Sequence, residues 1–200
     1  MLRWLKSNHQ ILTAIGAMLV GLAALFVAWD QARVMRAQQH GAVYPVLQVD
    51  GFVATTAQGV SIGVTVSNNG VGPAIIENVS IRRDDELVEG FDAFLTILPE
   101  GSDLSWSGAT GRALAPGARF DPIRITWARD EVTDLQIRSA GAAWDAWDVR
   151  FCYCSVFERC WATSNRPGAR AERVEECVPG DADPFEALGA SRQAEAEATP

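Results

Sequence analysis

Hydrophobic residues follow two different patterns along this chain, and the change falls near residue 41. Residues 11–29 form an unbroken run of nineteen positions without a charged side chain. Nineteen helical residues rise about 28 Å at roughly 1.5 Å each, close to the thickness of the hydrocarbon core of a bilayer. No polar face alternates with an apolar one, as it would on the surface helix of a soluble protein. The run therefore predicts a transmembrane helix.

The flanks of this run favour a retained anchor over a cleaved signal peptide. Arg3 and Lys6 precede it, and Trp4 and Trp29 lie near its two ends, where indole rings favour the headgroup region. The apolar core of a signal peptide spans about 7–15 residues and ends at a small-residue cleavage site. Here the core is longer, and bulky and charged residues follow it. Cleavage by signal peptidase is the main alternative, and a buried helix of a soluble protein is the other.

Composition changes along the chain divide it into segments. Good helix formers continue past the apolar run until Gly41 and Pro45, which favours a helical juxtamembrane segment. The last residues are rich in Ala, Glu, Pro and Gly, a composition typical of disorder. The predicted segments are a cytoplasmic N-terminus over 1–10, a transmembrane helix over 11–29, a juxtamembrane helix and linker over 30–44, a β-sandwich domain over 45–178 and a disordered acidic tail over 179–200.

The segment after Pro45 shows the alternation and the turn signals of short strands. In Val60–Val66 every second residue is apolar, which is the period of a half-buried strand. Asn68-Asn69-Gly70 tolerates the positive φ of a tight turn before the next strand. Further strands are predicted at 46–54, 74–82 and 119–127, a hairpin at 147–163, a helix or strand at 91–98 and a short helix at 130–140. Short strands between turns favour an antiparallel sandwich.

Three motifs resemble those of a known group of proteins. The segment Val66–Ala74 resembles the strand-turn-strand signature of bacterial immunoglobulin-like and adhesion-type sandwiches, and Leu114–Gly117 resembles the Leu-x-Pro-Gly turn of such domains. The last hairpin, with its aromatic residues, is similar to the end of small bacterial membrane proteins that have one N-terminal span. The resemblance implies a mainly β fold, an antiparallel immunoglobulin-like β-sandwich with one or two short helices behind a single transmembrane helix. It implies no catalytic residue.

All four cysteines lie in one region with the spacing C-x-C-x5-C-x16-C. An even set in a small domain indicates disulfides and hence an oxidising compartment. If residues 155–159 form a hairpin loop, Cys154 and Cys160 face each other across two strands, and Cys152 is left to pair with Cys177. Four cysteines allow three connectivities, and we favour this one.

Two other uses of the cysteines are open. A C-x-C pair can chelate a soft metal ion, although zinc sites prefer wider spacing and both histidines are distant in sequence. Thiol-redox proteins usually carry C-x-x-C, which this chain lacks. The alternative to structural disulfides is therefore a periplasmic metal-handling or thiol-redox protein.

Other candidate chemistry is weak. Gly59–Gly63 matches the G-x-S-x-G nucleophile elbow, but Ser61 lies inside a predicted strand and His9 and His40, the only histidines, precede it. We predict no catalytic residue, no metal and no cofactor. Trp144 and Trp147 form a candidate interaction patch, although packing in the core or at the sandwich edge is favoured over it.

Charge and topology restrict the partners. The chain has 25 acidic and 17 basic residues and a net charge of −8, which argues against nucleic acid. Basic residues are balanced across the span, so the cysteines decide the orientation: the N-terminus is cytoplasmic and the domain periplasmic. We expect a single-pass inner-membrane protein, held in the bilayer through residues 11–29, that binds another envelope protein without catalysis. Small residues at Ala17 and Gly21 hint at homo-oligomers.

Overall fold

The computed structural model describes residues 9–180 and 182–190 and contains two compact units, Met1–Ala42 and Val43–Pro200. The described part of the first unit is one helix, α1 (His9–Ala42), whose 34 residues include an 18-residue window with a mean hydropathy of 2.5. It is long and apolar enough to cross a membrane. Residues 30–40 contain neither Gly nor Pro, so the predicted span and the juxtamembrane segment form one continuous helix. Residues 1–8 of the predicted cytoplasmic N-terminus lie outside the described residues.

The second unit is built mainly from antiparallel strands. In chain order they are β1 (Leu47–Thr55), β2 (Gly59–Asn68), β3 (Ala74–Arg83), β4 (Glu86–Val88), β5 (Asp103–Trp106), β6 (Ala113–Leu114), β7 (Arg119–Ala128), β8 (Trp147–Cys154), β9 (Cys160–Ser164) and β10 (Glu172–Val174). One sheet has the order β1-β2-β7-β5, and the other has the order β10-β9-β8-β3-β4 with β6 paired to β3. Every pairing is antiparallel, and buried residues of both sheets belong to one hydrophobic cluster.

The alternation predicted in β2 is confirmed by burial. Val60, Ile62, Val64 and Val66 are each at most 1% exposed and point into the core. In the second sheet, β3 keeps Ile76 and Val79 on the core side although they are three residues apart. A register shift between Ile76 and Asn78 makes this possible, because the extra residue of a β-bulge restores the alternation.

The segment Asn68–Gly70 is a correction to the sequence analysis. None of its three residues has positive φ, and β3 joins the other sheet instead of pairing with β2. Asn68 is fully buried, and its side chain forms hydrogen bonds to two other segments of the chain. Its Oδ1 accepts from the backbone N–H of Val46 at 3.2 Å, and its Nδ2 donates to the carbonyl of Leu114 at 2.9 Å.

Two short helices also belong to the second unit: α2 (Asp92–Leu95) and α3 (Asp134–Trp144). Thr133 and Gln136 form a capping box that fixes the start of α3. The candidate patch of Trp144 and Trp147 is wrong, because both side chains are buried, 6% and 3% exposed. They pack against the rings of Phe91 and Phe94 at centroid distances of 5.1 to 6.1 Å, since burying large aromatic surfaces is more favourable than exposing them.

The described part of the predicted disordered tail is ordered in the structure. Residues 184–190 form a fourth helix, α4, and Phe185 and Leu188 belong to the core cluster. The carboxylate of Asp183 anchors α4: Oδ2 accepts from the N–H groups of Ala109 and Thr110, and Oδ1 accepts from those of Phe185 and Glu186. Residues 181 and 191–200 of the predicted tail lie outside the described residues.

Candidate functional site

The four cysteines come together on the outer side of the second sheet. Successive residues of β8 point to opposite faces, so Phe151 and Tyr153, both fully buried, leave Cys152 and Cys154 on the face away from the core. The sequence pattern W-D-V-R-F-C-Y-C dictates this placement, because its odd-numbered residues are the large apolar ones.

The inner cystine, Cys154–Cys160, closes the hairpin between β8 and β9. The two residues are direct partners across the strands, with Cα atoms 4.0 Å apart, and their Sγ atoms are bonded. The loop between them is held by a hydrogen bond from Ser155 N–H to the carbonyl of Arg159 at 2.8 Å. Glu158 supplies the positive φ that turns the chain. Both cysteines of this cystine are buried, 8% and 5% exposed.

The outer cystine, Cys152–Cys177, fastens a strap over the same face of the sheet. The strap comprises residues 175–180, and its second attachment is a 2.8 Å hydrogen bond from the side chain of Asn78 to the carbonyl of Val178. Both cysteines of this cystine are half-buried. A disulfide that closes a loop of this length stabilises by about 3 kcal/mol in the chain-entropy model. The two bonds reproduce the connectivity that the sequence favoured, and no cysteine of the chain is free.

The two cystines are in direct contact. Sγ of Cys154 lies 3.7 Å from Sγ of Cys177, so one sulfur of each bond touches one sulfur of the other. The Sγ atoms of Cys154, Cys160 and Cys177 all lie within 4.8 Å of one another. Sequence spacing alone could not show this contact, because it depends on where the strap crosses the sheet.

The chemistry open to this cluster depends on its oxidation state. Metal binding by cysteine uses thiolates, so the bonded pairs would have to be reduced before the three sulfurs could hold a soft ion. Thiol–disulfide exchange needs a thiolate placed against a disulfide sulfur. The contact between Cys154 and Cys177 supplies the proximity for exchange once either bond opens, and the attacking sulfur must then turn into line with the bond that breaks.

The remaining sequence candidates stay apart from this cluster. Ser61 is the third residue of β2, paired with Ala54 on one side and Thr126 on the other. A nucleophile elbow requires a sharp strand-to-helix turn, which this position does not have. His9 and His40 both lie in α1, in the first unit.

A second feature, which the sequence analysis missed, is the edge of the first sheet. Within the described residues β1 pairs with β2 alone, so its other edge has no strand partner. Beside β1 lies a groove of about 560 Å³, lined by residues 46–51 and 163–171. Arg166 and Arg170 are exposed on the wall facing β1.

Arg166 is fixed in this wall by two carboxylates. Its guanidinium donates to Asp85 at 2.5 Å and lies 3.1 Å from an oxygen of Asp148. The hydrogen bond to Asp85 and the charge of Asp148 raise the pKa of Arg166 above its ordinary value. Asp85 and Asp148 therefore hold the Arg166 side chain in place and offset its charge.

Comparison of the chain with protein-family models, curated proteins and solved structures finds no match.

Proposed function

We propose that this protein is a membrane-anchored docking module of a bacterial cell envelope. In this proposal α1 crosses the inner membrane and an immunoglobulin-like sandwich stands on the periplasmic side. The sandwich binds an extended segment of another envelope protein through the β1 edge, and this binding is non-catalytic. The observation that carries the proposal is the unpaired edge of β1 beside an open groove.

The strand order supports the immunoglobulin-like part of the proposal. An immunoglobulin constant domain places strands A, B, E and D in one sheet and C, F and G in the other. The order β1-β2-β7-β5 corresponds to A-B-E-D, and the neighbours β3, β8 and β9 correspond to C, F and G. β4 extends the second sheet beyond β3, as an additional edge strand does in several sandwich variants.

The anchor and the cystines support the location. The apolar helix α1 has the length of a membrane span, and two disulfides persist where the surroundings are oxidising. A domain behind such a helix, with the N-terminus in the cytoplasm, reaches the periplasm.

An extended peptide is the occupant that fits the β1 edge. An unpaired edge strand offers a row of backbone N–H and C=O groups, which a partner strand can satisfy by adding to the sheet. The nine residues of β1 are enough for such an addition. The exposed guanidinium of Arg170 on the groove wall favours a partner segment that carries an acidic side chain.

Site-specific photo-crosslinking in intact cells tests the proposal. A photo-reactive amino acid replaces Gln48, an exposed residue of β1, in the full-length protein. The matched control replaces Leu87, which is 70% exposed in β4, an edge strand of the other sheet. We expect an adduct from position 48 that maps to one extended segment of one envelope protein, and none from position 87.

Two results would contradict the proposal. One is no adduct from position 48, and the other is equal labelling from both positions, which would show contact without a defined site. Replacement of Arg170 by Glu gives a second measurement, because reversing the charge of the groove wall should weaken the adduct several-fold.

A further inference from the structure

We propose that the two cystines form an internal thiol–disulfide relay that oxidises a dithiol. In this relay the half-buried bond Cys152–Cys177 is attacked first, and the buried bond Cys154–Cys160 receives the electrons. The juxtaposition behind the proposal is the 3.7 Å contact between Sγ of Cys154 and Sγ of Cys177.

Solvent accessibility determines which of the two disulfides an external thiolate attacks first. Cys154 and Cys160 are 8% and 5% exposed, whereas both residues of the outer cystine are half-buried. An external thiolate must reach a disulfide sulfur to attack it, so the outer bond opens first. This first step joins the external sulfur to Cys152 and releases Cys177 as a thiolate.

The second step transfers the disulfide inward. The thiolate of Cys177 attacks Sγ of Cys154, the sulfur that it touches in the structure. A bond forms between Cys154 and Cys177, the bond from Cys154 to Cys160 breaks, and Cys160 leaves as a thiolate that takes up a proton. The two sulfurs are already in van der Waals contact. Attack also requires Sγ of Cys177 to lie in line with the bond from Cys154 to Cys160, and because the three Sγ atoms lie within 4.8 Å of one another, the strap must first carry Cys177 to the far side of Cys154.

The third step closes the balance. The second thiol of the dithiol, as a thiolate, attacks the substrate sulfur of the mixed disulfide, and Cys152 leaves as a thiolate that takes up a proton. The dithiol has then lost two electrons and become a disulfide. The cluster has gained two electrons and holds Cys154–Cys177 with thiols at Cys152 and Cys160.

Partial reduction of the full-length protein in detergent micelles tests the relay. A limiting amount of dithiothreitol is added, the thiols are trapped by alkylation after acid quenching, and the remaining disulfide is mapped by mass spectrometry. We expect a one-disulfide species that contains Cys154–Cys177, with Cys152 and Cys160 alkylated. The proposal would be overturned if every one-disulfide species kept one of the two original bonds, either Cys152–Cys177 or Cys154–Cys160.

A kinetic comparison separates the relay from a purely structural role. In a double variant, Cys152→Ser with Cys177→Ser, the outer cystine is gone and the strap is loosened. A purely structural cystine pair predicts faster reduction of Cys154–Cys160 in this variant, because the cover is weaker. The relay predicts reduction several-fold slower than in the wild-type protein, because the route through Cys177 is lost. Equal or faster reduction would overturn the proposal.

Asn78→Ala is the matched control for loosening alone. It removes the hydrogen bond to the carbonyl of Val178 and leaves all four sulfurs in place. Under the relay, reduction of Cys154–Cys160 in this variant stays as fast as in the wild type or becomes faster. Slowing equal to that of the double variant would assign the effect to strap position and overturn the relay.

Discussion

Buried polar side chains join segments of this domain that are distant in sequence. Tyr153 is fully buried in the second sheet, and its hydroxyl accepts a 3.3 Å hydrogen bond from the N–H of Leu47 in the first sheet. Asp183 ties α4 to the loop after β5 in a similar way. Each of these side chains satisfies backbone groups that would otherwise be buried without a partner, which is costly.

Substitution of Asp183 should destabilise the domain. Asp183→Asn keeps one acceptor oxygen and loses the other, so buried N–H groups lose a charged partner. We expect a loss of about 1–3 kcal/mol in the free energy of unfolding, measured by urea denaturation. Asp130→Asn, at an exposed position, is the control and should stay within about 0.5 kcal/mol of the wild type. A similar stability for both variants would contradict this role.

Tyr153 should make the domain sensitive to alkaline pH. Burial raises the pKa of its hydroxyl to about 12, although the hydrogen bond from Leu47 acts in the opposite direction. The unfolded state ionises near pH 10 and the folded state near pH 12, so the unfolded state releases its proton first. The contribution of this group is therefore complete below pH 10 and is lost as the pH rises to 12.

The comparison with Tyr153→Phe isolates that effect. Between pH 10 and 12 the wild type should lose about 2–3 kcal/mol more stability than the variant, because phenylalanine has no proton to release. Urea unfolding at each pH, followed by tryptophan fluorescence, measures the difference. Parallel pH profiles for the two proteins would show that the hydroxyl is not shielded as described.

At the scale of elements, β2 shows how a strand fixes the two faces of a sheet. Ile62 is fully buried, while its neighbour Ser61 is half-buried on the opposite face. Ile62→Ala should cost about 2–5 kcal/mol in the free energy of unfolding, because it leaves a cavity in a packed core. Ser61→Ala should change stability by less than about 0.5 kcal/mol, as expected for a surface position.

Denaturant unfolding of both variants checks this expectation. The Ser61→Ala variant also tests the G-x-S-x-G motif. A hydrolytic activity that disappears with this substitution would contradict the conclusion that Ser61 is not a nucleophile. Equal destabilisation by the two substitutions would instead contradict the assignment of faces.

The strands that alternate strongly could be predicted from the sequence. Predicted bounds at 119–127 and 74–82 differ by one residue from β7 and β3, because period-2 alternation is a local signal. The turn after Leu114 was also correct, with Gly117 at a φ of +75°. The cystine pairing followed from the hairpin, since directly opposed residues across two strands are close enough to bond.

Features that depend on distant contacts could not be predicted in this way. The Asn68 segment has the composition of a tight turn, but its side chain bonds to Leu114, which belongs to a later part of the chain. The strap, the groove beside β1 and the contact between the cystines depend on tertiary packing. For α4 a local signal existed: Asp183-Pro184 followed by Glu186 is typical of a helix start, and overall tail composition concealed it.

At the scale of the whole molecule, the apolar helix and the two cystines predict the oxidation state and the mass of the mature protein. In intact protein isolated from its native membrane, we expect no thiol to react with maleimide before reduction and four to react after unfolding and reduction. The mass should be that of the full 21.6 kDa chain with an uncleaved N-terminal helix. Intact mass spectrometry measures both properties together.

Protease protection provides the matching control for orientation. In spheroplasts, added protease should digest the domain and spare α1, and in intact cells it should spare both. A full-length cytosolic protein with reduced cysteines would contradict the anchor and the compartment together.

The place of Phe185 in the core bears on how the domain is made. Its ring packs 5.6 Å from that of Phe91 and 6.4 Å from that of Phe151, both synthesised well before it. During translation, every strand that the structure describes is synthesised before this aromatic residue. The nascent chain therefore passes through an interval in which the apolar core surface that Phe185 later covers is exposed. Early in the same interval Cys154 and Cys160 are already present and Cys177 is not. Chaperones and oxidases act most usefully within that interval, since exposed apolar surface promotes aggregation.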